Sequence, residues 1–387
     1  MSVPPSLPFE GLRVVAIEQA VSVPFCTRQF SDLGADVIKI ERPDGGDFAR
    51  DYDHDLHGMS GHFAWLNRGK RSVALDLKQP RERGVLGKLL ETADVFVQNL
   101  APGAVERLGF GYDDLKEKHP RLIWCGISGY GPDGPYRDKK AYDLLVQAES
   151  GVVSLTGNAQ AAAKVGISIA DIASGFYAYS SIMAALFHRM QTGKGDRIDI
   201  SMLECLTEWS MPALYMWLGA GRVPARVGIR HNGIVPYGAY KCGDGSVNFA
   251  IQNQREWRRL CDTVLQDVSI ADDPRFATNS DRLKNRDVLE PLIEKIFAAQ
   301  KVMDIVARLE EAEIANAVVN DVTAVAKHPQ LAARERWVEI DSSNGPLPAL
   351  LPPHNIAGIA PRMGRVPDLG EHTKEILAEL GIAEAGE

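Results

Sequence analysis

The chain has 387 residues, of which 45% are hydrophobic and 24% charged, with 51 acidic and 43 basic side chains and a net charge of −8. This globular composition excludes collagen-like, low-complexity and disordered chains, and the acidic balance disfavours a nucleic-acid partner, which needs clustered positive charge. Because a single core stops growing near roughly 250–300 residues, we expect two compact bodies.

The first third of the chain predicts a parallel sheet with helices on both faces. Short, nearly uninterrupted apolar runs alternate with segments that carry apolar residues at helical spacing. The predicted strands are 12–17, 35–41, 72–77, 93–98 and 122–128, and the predicted helices are 25–33, 81–92 and 114–119. Ligands of such sheets bind at the carboxyl ends of the strands.

The rest of the chain predicts longer helices and then a second, α+β body. The predicted elements are helices 142–154 and 172–190, strand 197–200, helix 203–218, a hairpin of strands 237–242 and 246–250, and helices 254–264, 288–297, 302–311 and 373–380. The Gly-Asp-Gly turn between the two hairpin strands is typical of such a connection.

Cysteine usage and the N-terminus indicate the compartment. Five widely spaced cysteines without a CxxC pair disfavour a disulfide framework and a cysteine-rich zinc site, and favour a reducing environment. The N-terminus lacks the basic start and apolar run of a signal peptide. The longest apolar helical stretch, near 180–187, is shorter than the ~20 residues of a membrane span. We therefore expect a cytoplasmic protein without a membrane partner.

Two common ligand motifs are absent or incomplete. A dinucleotide-binding turn needs Gly-x-Gly-x-x-Gly after the first strand, and residues 18–24 read EQAVSVP there. Segment 51–62 alternates aspartates with histidines but lacks the central glycine and closing glutamate of a calcium loop. We predict neither a nicotinamide cofactor nor a metal ion, and interpret 51–62 as a polar loop.

Basic side chains gather where the predicted strands end. They are Arg42, Lys70, Arg71, Lys78, Arg107, Lys139 and Lys140. Cations at the ligand-binding edge of a parallel sheet would suit a polyphosphate. Lys and Arg are also common loop residues, and spacing alone does not decide between these interpretations.

Asp171 stands among small and apolar residues just before a predicted long helix. Carboxylates in such surroundings are seldom fully buried without a partner. The side chain fits a helix N-cap, and it also fits a partly desolvated nucleophile able to form an acyl intermediate. The residues alone leave both roles open.

Several segments act together as a signature. They are LGADVIKIERP (33–43) with Gly46-Asp47, NRGKRS (67–72) with LDLK (75–78), ADV (93–95) with Asn99, Pro102-Gly103 with RLG (107–109), SGYG (128–131), Ala170-Asp171 and TGKG (192–195). In this order and spacing the chain resembles the family III CoA-transferases, the group that includes formyl-CoA transferase and α-methylacyl-CoA racemase. The resemblance covers nearly the whole chain and thins after about residue 250.

The resemblance implies a CoA thioester as substrate, no tightly bound cofactor, and Asp171 as the catalytic aspartate. The implied CoA-binding residues are Ala20, Val21, Arg42, Leu75, Lys78, Asn99, Arg107 and Lys140, and the implied substrate-pocket residues are Tyr142, Asn232, Gly233 and Tyr237. Relatives cover the site with a glycine-rich loop, whereas HNGIVPYG (231–238) contains only two glycines.

The resemblance also implies a domain organisation and a partner. Family members are interlocked homodimers in which each chain forms a ring threaded by the other. We expect a large Rossmann-like CoA-binding domain from residues 1–200 and 325–387, a linker helix at 201–226, a small domain at 227–310 and a return linker at 311–324.

One position separates the two chemistries of the family. Racemases carry His-Asp where this chain has Tyr142-Asp143, and a phenol with a pKa near ~10 is a poor acid–base group at neutral pH. Transferase chemistry is therefore favoured, through an aspartyl mixed anhydride and an aspartyl-CoA thioester. Tyr142 would help to shape the acyl pocket, and Asp143 would do so or be structural.

The expected free acid is a C4–C5 dicarboxylate such as succinate, mesaconate, citramalate or itaconate. The candidate ligands of its second carboxylate are Arg50, Arg226, Arg230 and His231. The alternatives are a 2-methylacyl-CoA racemase or epimerase, a formyl- or oxalyl-CoA transferase, and a CoA-binding protein without catalytic activity.

Overall fold

The structure is a computed structural model that describes residues 7–383. Its contacts divide the chain into two units: the first holds the chain up to Val152, Lys164–Pro212 and the chain from Leu331 onward, and the second holds Val153–Ala163 and Ala213–Gln330. The predicted boundaries assign 153–163 to the large domain, whereas these residues lie in the second unit. The predicted small domain, 227–310, lies wholly within the second unit.

The secondary structure is as follows. The strands are β1 (Arg13–Ile17), β2 (Asp36–Glu41), β3 (Arg71–Ala74), β4 (Val95–Gln98), β5 (Ile123–Ser128), β6 (Arg197–Ser201), β7 (Tyr237–Cys242), β8 (Gly245–Ala250), β9 (Asn316–Val318), β10 (Trp337–Ile340) and β11 (Leu347–Leu350). The helices are α1 (Ser22–Asp32), α2 (Gly61–Asn67), α3 (Pro80–Glu91), α4 (Ala104–Arg107), α5 (Tyr112–Leu115), α6 (Asp143–Glu149), α7 (Val152–Leu155), α8 (Ile169–Thr192), α9 (Met202–Trp209), α10 (Met211–Ala220), α11 (Gln254–Arg259), α12 (Ser269–Asp272), α13 (Asn279–Lys284), α14 (Arg286–Phe297), α15 (Val302–Glu311), α16 (Val322–Ala326), α17 (Pro329–Ala333) and α18 (Thr373–Glu379). Short helical turns lie at Phe48–Asp51, Leu260–Val264 and Pro274–Phe276.

The first unit is built on a six-stranded parallel sheet in the order β3-β2-β1-β4-β5-β6. Alternate residues of β1 pack on opposite faces: Val14 joins a core with α1 and α8, and Val15 joins a core with α3 and α18. A strand buried on both faces must be apolar throughout, which is why these strands could be predicted. The predicted α/β class is confirmed.

The strand order reverses beside β1. The chain runs outward from β1 through β2 to β3, and then returns to place β4 on the other side of β1. The loops after β1 and β4 therefore leave the sheet in opposite directions and open a crevice at their carboxyl ends, where such sheets bind ligands.

Helix α8 is longer and more apolar than predicted. Within residues 7–383 it is the helix whose length and composition would allow it to cross a membrane, and 39% of its apolar stretch of 18 residues is buried. This corrects the predicted limit of the apolar stretch at 180–187. In the first unit α8 packs against α1, β5 and β6. The core helix of a soluble protein can have the same length and apolar composition as a membrane-spanning helix.

The second unit contains an antiparallel sheet of β7, β8 and β9 and its own core. The predicted hairpin is confirmed, with Lys241 opposite Ser246 next to the turn. Helices α11, α14 and α15 bury Trp257, Ile293 and Ile305 in this core. The second body is therefore α+β, as predicted.

Two predicted helices are interrupted in the structure. The predicted helix 142–154 divides into α6 and α7 at Gly151, whose φ of 82° lies in the left-handed region that ends helices. The predicted helix 203–218 divides into α9 and α10 at Ser210. Strands β9, β10 and β11 and helix α2 were not predicted.

Candidate active site

A cleft of about 650 Å³ lies in the first unit at the crevice between β1 and β4. Its walls come from the β1–α1 loop, the segment after β4, the segment from Ser128 to Leu144 and the first turn of α8. Asp171 belongs to this last wall. The carboxylate that the sequence singles out therefore lies at the edge of the sheet where α/β proteins bind their ligands.

The β1–α1 loop is clamped from the neighbouring strand by Asn99. The Asn99 side-chain oxygen accepts from the Gln19 N–H at 3.0 Å, and its amide donates to the Gln19 carbonyl and the Ser22 hydroxyl, both at 2.9 Å. Gly175 of α8 lets α1 approach closely, since a Cβ there would lie 2.4 Å from the Ser22 carbonyl oxygen. The β1–α1 loop and the N-terminal part of α8 therefore lie next to each other at the cleft.

A buried charge network lies beneath this loop. Asp47 accepts from the Ala20 N–H at 2.9 Å and from Lys39 Nζ at 2.8 Å. Lys39 also contacts Glu18 at 3.4 Å, and Glu18 pairs with Lys70 at 2.6 Å. Burial alone would lower the pKa of Lys39, but Asp47 and Glu18 outweigh it and raise that pKa, so the ammonium stays charged.

Asp171 sits in the first turn of α8 with Ser168, rather than Asp171, at the N-cap. Among the hydrogen bonds of residues 7–383, none involves its carboxylate oxygens. Burial, together with the negative charge of Asp143, raises the pKa of Asp171 to about 7. A carboxylate that is poorly solvated and poorly satisfied is more nucleophilic than one held in water or in an ion pair.

Asp143 supports this helix turn. Its carboxylate accepts from the Ala170 N–H at 2.8 Å and from the Gln147 side-chain amide at 2.7 Å. Asp143 therefore caps the N-terminus of α8 from a different helix, which is a structural role. It also places a second negative charge beside Asp171.

The structure brings six of the predicted site residues together. Ala20, Val21, Asn99, Lys140, Tyr142 and Asp171 all line the cleft. The other predicted CoA-binding residues of the first unit, Arg42, Leu75, Lys78 and Arg107, do not line it. Leu75 is 4% exposed and belongs to the core, so its backbone is what it can offer to a ligand.

Three predicted pocket residues, Asn232, Gly233 and Tyr237, belong to the second unit. There the Gly233 N–H donates to His231 Nδ1 at 3.0 Å, and the His231 and Tyr237 rings stack with centroids 5.2 Å apart. The Asn232 side-chain oxygen is buried without a hydrogen-bond partner in the described chain.

The structure sorts the basic residues of the predicted rim into two groups. Lys70, Arg71 and Lys139 are held by acidic side chains, and Lys70 is 2% exposed. Arg42, Lys78, Arg107 and Lys140 are exposed, and across residues 7–383 they form no ion pair with a protein carboxylate. The second group is therefore the one available to an anionic ligand.

The candidate ligands of a second carboxylate have local partners instead. Arg50 donates to both oxygens of Glu41, at 2.8 and 2.7 Å, and Arg230 pairs with Glu290 and Glu294. Arg226 donates to the Asn158 carbonyl at 3.0 Å. The guanidinium groups of Arg50 and Arg230 are thus already neutralised within their own units.

Several lining residues were missed by sequence reasoning. Tyr52 and His62 line the cleft although segment 51–62 was interpreted as a polar loop, and Phe48, just before that segment, lines it too. Burial and the carboxylates of Asp47 and Asp171 raise the pKa of Tyr52, and the Tyr52 and His62 rings meet edge to face at 5.7 Å. Phe48 and Tyr52 follow β2 at the ligand-binding edge of the sheet, and this position was the available signal, whereas His62 lies further along the chain in α2.

No metal is indicated in the described part of the chain. Residues 7–383 contain no group of three or more His, Cys, Asp or Glu side chains placed to hold a metal ion. The aspartates and histidines of segment 51–62 serve local contacts, such as Asp53 accepting from the Gly61 N–H at 2.9 Å.

Comparison with known proteins identifies the family of the chain. The family model "CoA-transferase family III" matches residues 9–373. The chain is 34% identical over 387 residues to a succinate–glutarate CoA-transferase of Agrobacterium fabrum, covering 97% of this chain and 96% of that one. It is 36% identical over 337 residues to an acetyl-CoA:oxalate CoA-transferase of Acetobacter aceti, covering 87% and 86%.

Solved structures show the same relationship. A CAIB/BAIF family protein from Brucella suis superimposes with a TM-score of 0.86 at 33% identity, covering 97% of this chain and 100% of that one. Together with the family match over nearly the whole sequence, these findings confirm the resemblance seen in the motifs: the chain belongs to CoA-transferase family III.

Proposed function

We propose that this enzyme transfers CoA from an acyl-CoA to a C4–C5 dicarboxylic acid, with Asp171 as its nucleophile. The observation that carries the proposal is the Asp171 carboxylate itself. It lines the cleft at the β1/β4 crevice, it is held by no ion pair or hydrogen bond within residues 7–383, and its pKa is raised to about 7.

The chemistry begins with attack on the thioester. An Asp171 oxygen bonds to the acyl carbon while the carbon–sulfur bond breaks, which gives a mixed anhydride and CoA thiolate. The thiolate then attacks the Asp171 carbonyl carbon, and the donor acid leaves as its carboxylate. The product of this half-reaction is an aspartyl-CoA thioester, and no proton has been gained or lost.

The second half-reaction reverses these steps with the acceptor acid. Its carboxylate attacks the aspartyl carbonyl and expels the thiolate, which then attacks the acceptor acyl carbon of the new anhydride. The acceptor leaves as its CoA thioester and the Asp171 carboxylate is restored. Each tetrahedral intermediate carries an oxyanion that needs hydrogen-bond donors. The Gln19 and Ala20 N–H groups donate to Asn99 and Asp47, so the N–H groups of Val21 and Ser22 are the candidate donors from this loop at the cleft.

The phosphates of CoA would be held by the cations that have no protein carboxylate. Arg42, Lys78, Arg107 and Lys140 are exposed at the ends of the sheet strands or in the loops that follow them. A compact anion with several phosphate charges needs only a few such groups, so an acidic chain can bind it.

The nature of the acid follows from the charge of the cleft and from relatives. Lys140 and Lys164 line the cleft and form no ion pair with a carboxylate within residues 7–383, which favours an anionic acyl group and acceptor. The two curated relatives described above are named for succinate and glutarate, or for oxalate, all of which are dicarboxylates. We favour the C4–C5 acids and propose that the chain acts as a homodimer of interlocked rings.

The test combines product analysis with trapping of the intermediate. The enzyme is incubated with succinyl-CoA and, separately, glutarate, mesaconate, itaconate, citramalate, oxalate and formate, and the new thioesters are identified by mass spectrometry. Hydroxylamine added to the enzyme with succinyl-CoA should leave a hydroxamate on Asp171, and Asp171→Asn should show neither product nor hydroxamate. Transfer by Asp171→Asn at the wild-type rate would refute the nucleophile.

One additional incubation, with a 2-methylacyl-CoA in D₂O, and the same panel of acids separate the other assignments. Deuterium uptake at the α-carbon of a 2-methylacyl-CoA, without any acceptor acid, would identify a racemase instead. Turnover with oxalate or formate and none with the longer acids would replace the C4–C5 assignment by the shorter acids.

A further inference from the structure

The loop after β1 contains a residue in a conformation that its side chain disfavours. Ala20 has a φ of 60°, in the left-handed region, where a Cβ clashes with the backbone and glycine is the usual occupant. Ala20 also lines the cleft beside Val21 and Ser22. A strained residue at a ligand-binding cleft persists only where its surroundings hold it there.

Asp47 supplies that hold. Its Oδ1 accepts from the Ala20 N–H and from the Ala49 N–H, both at 2.9 Å. Asp47 is 1% exposed, and its own N–H donates to Glu41 at 3.0 Å. Both the backbone and the side chain of Asp47 are therefore held by hydrogen bonds. Asn99 fixes the preceding residue, Gln19, and no other side chain within residues 7–383 bonds to the Ala20 N–H.

Lys39 determines which oxygen of Asp47 faces the loop. Its ammonium occupies Oδ2 at 2.8 Å and leaves Oδ1 for the backbone. Lys39 is fully buried and its other contact is Glu18 at 3.4 Å, which is itself paired with Lys70. Replacing Lys39 and Asp47 together by neutral residues therefore preserves the charge balance of the network.

We propose that Asp47 is a positioning residue of the transferase: it holds Ala20 in the left-handed conformation and so presents the Ala20–Ser22 backbone to the reacting acyl group. The proposal rests on the proposed function, because it assigns this backbone to the cleft in which Asp171 reacts. Asp47 acts through Ala20, and its contribution is to keep the loop backbone in the geometry that the transition state requires.

The test isolates the one acceptor oxygen. Lys39→Met/Asp47→Asn keeps an amide oxygen for the Ala20 N–H, whereas Lys39→Met/Asp47→Leu has a side chain of similar size without that oxygen. We expect kcat within tenfold of wild type for the first and lowered about 100-fold for the second, since small misplacements of this kind cost about that much. KM for the acyl-CoA should change less than threefold in both.

Two additional variants keep the test decisive if the leucine variant does not fold. Asp47→Asn alone must share one oxygen between Lys39 and Ala20, so it should lose about tenfold in kcat and regain it when Lys39→Met is added. Ala20→Gly, added to a folded Lys39→Met/Asp47→Leu enzyme, should restore at least tenfold, because glycine adopts the left-handed conformation without strain. Asp44→Asn, an exposed residue of the same turn, is the matched control.

Hydrogen exchange of the peptide over residues 18–25 gives a readout that requires no activity. Exchange should be faster in Lys39→Met/Asp47→Leu than in Lys39→Met/Asp47→Asn, and a failure of the Asp171 mechanism would leave this result unchanged. Equal kcat and equal exchange in the two double variants, or no recovery of Asp47→Asn by Lys39→Met, would overturn the proposal.

Discussion

Replacing Asp171 by asparagine should stabilise the protein while abolishing transfer. The carboxylate is disfavoured in the folded state by burial and by Asp143, which together raise its pKa from 3.8 to about 7. At about 1.36 kcal/mol for each pH unit, that rise corresponds to about 4 kcal/mol of unfavourable free energy for the ionised group. Asparagine occupies the same space without a charge and avoids this term.

The sign of the pH dependence follows from proton binding. Between pH 4 and pH 7 the folded state retains a proton on Asp171 that the unfolded chain has already released, so the stability of the wild type falls as pH rises through this window. The advantage of Asp171→Asn in the free energy of unfolding should therefore grow, by about 2–3 kcal/mol between pH 5 and pH 8.

Urea unfolding followed by circular dichroism at pH 5 and pH 8, at one protein concentration, measures this difference. The exposed Asp44→Asn controls for the loss of one negative charge. A stability difference for Asp171→Asn that is constant or decreases between pH 5 and pH 8 would refute the raised pKa of Asp171. It would also refute the idea that the ionised Asp171 carboxylate destabilises the folded state.

Four further variants test other parts of the site and the core. Asp143→Asn removes the second cause of the raised pKa, so the acid limb of the kcat/KM profile should move down by about one pH unit. Lys140→Ala should raise KM for the acyl-CoA about tenfold with little change in kcat, because Lys140 has no protein carboxylate, and Lys139→Ala should raise it less. Arg68→Met should destabilise the protein by about 2–3 kcal/mol, measured by urea unfolding, because the buried carboxylate of Asp32 loses two hydrogen bonds of 2.8 and 2.7 Å and keeps only Arg28 nearby, at 3.6 Å.

Each of these expectations has a contrary result. An unshifted pH profile would show that the Asp143 charge is not felt at the nucleophile. Equal KM effects at Lys139 and Lys140 would show that pairing with Glu149 does not withdraw a lysine from the ligand. A loss below about 1 kcal/mol for Arg68→Met would mean that the pair behaves like an exposed one.

The parallel sheet could be predicted because both of its faces are covered. Strands β1, β4 and β5 are nearly continuous apolar runs, and the predicted boundaries lie within one or two residues of the observed ones. Helix ends were less accurate, since periodicity continues across a break such as Ser210, between α9 and α10. Helix α2 was missed because it follows a polar loop that gives no apolar pattern.

Asp171 could be singled out as a candidate nucleophile, but its surroundings could not be predicted. Asp171 stands out as a carboxylate among small apolar residues, whereas Asp143 is 28 positions away in the sequence and reaches it only through the packing of α6 against α8. Lys39 offered a comparable signal, being a charge in the middle of a buried strand, yet its partners Asp47 and Glu18 depend on where two loops return to the sheet.

The turn after β1 shows that a missing motif can exclude a ligand without excluding a backbone conformation. The absence of glycine in residues 18–24 argues against the pyrophosphate site of a dinucleotide, because backbone must approach those phosphates closely. The same turn nevertheless takes a left-handed residue, Ala20, whose conformation is imposed by Asp47 and by the neighbouring Asn99 clamp instead of being permitted by glycine. A conformation enforced by buried side chains is less mobile than one allowed by glycine. We therefore expect this loop to be ordered before CoA binds, which suits a backbone that must meet two successive acyl groups in one geometry.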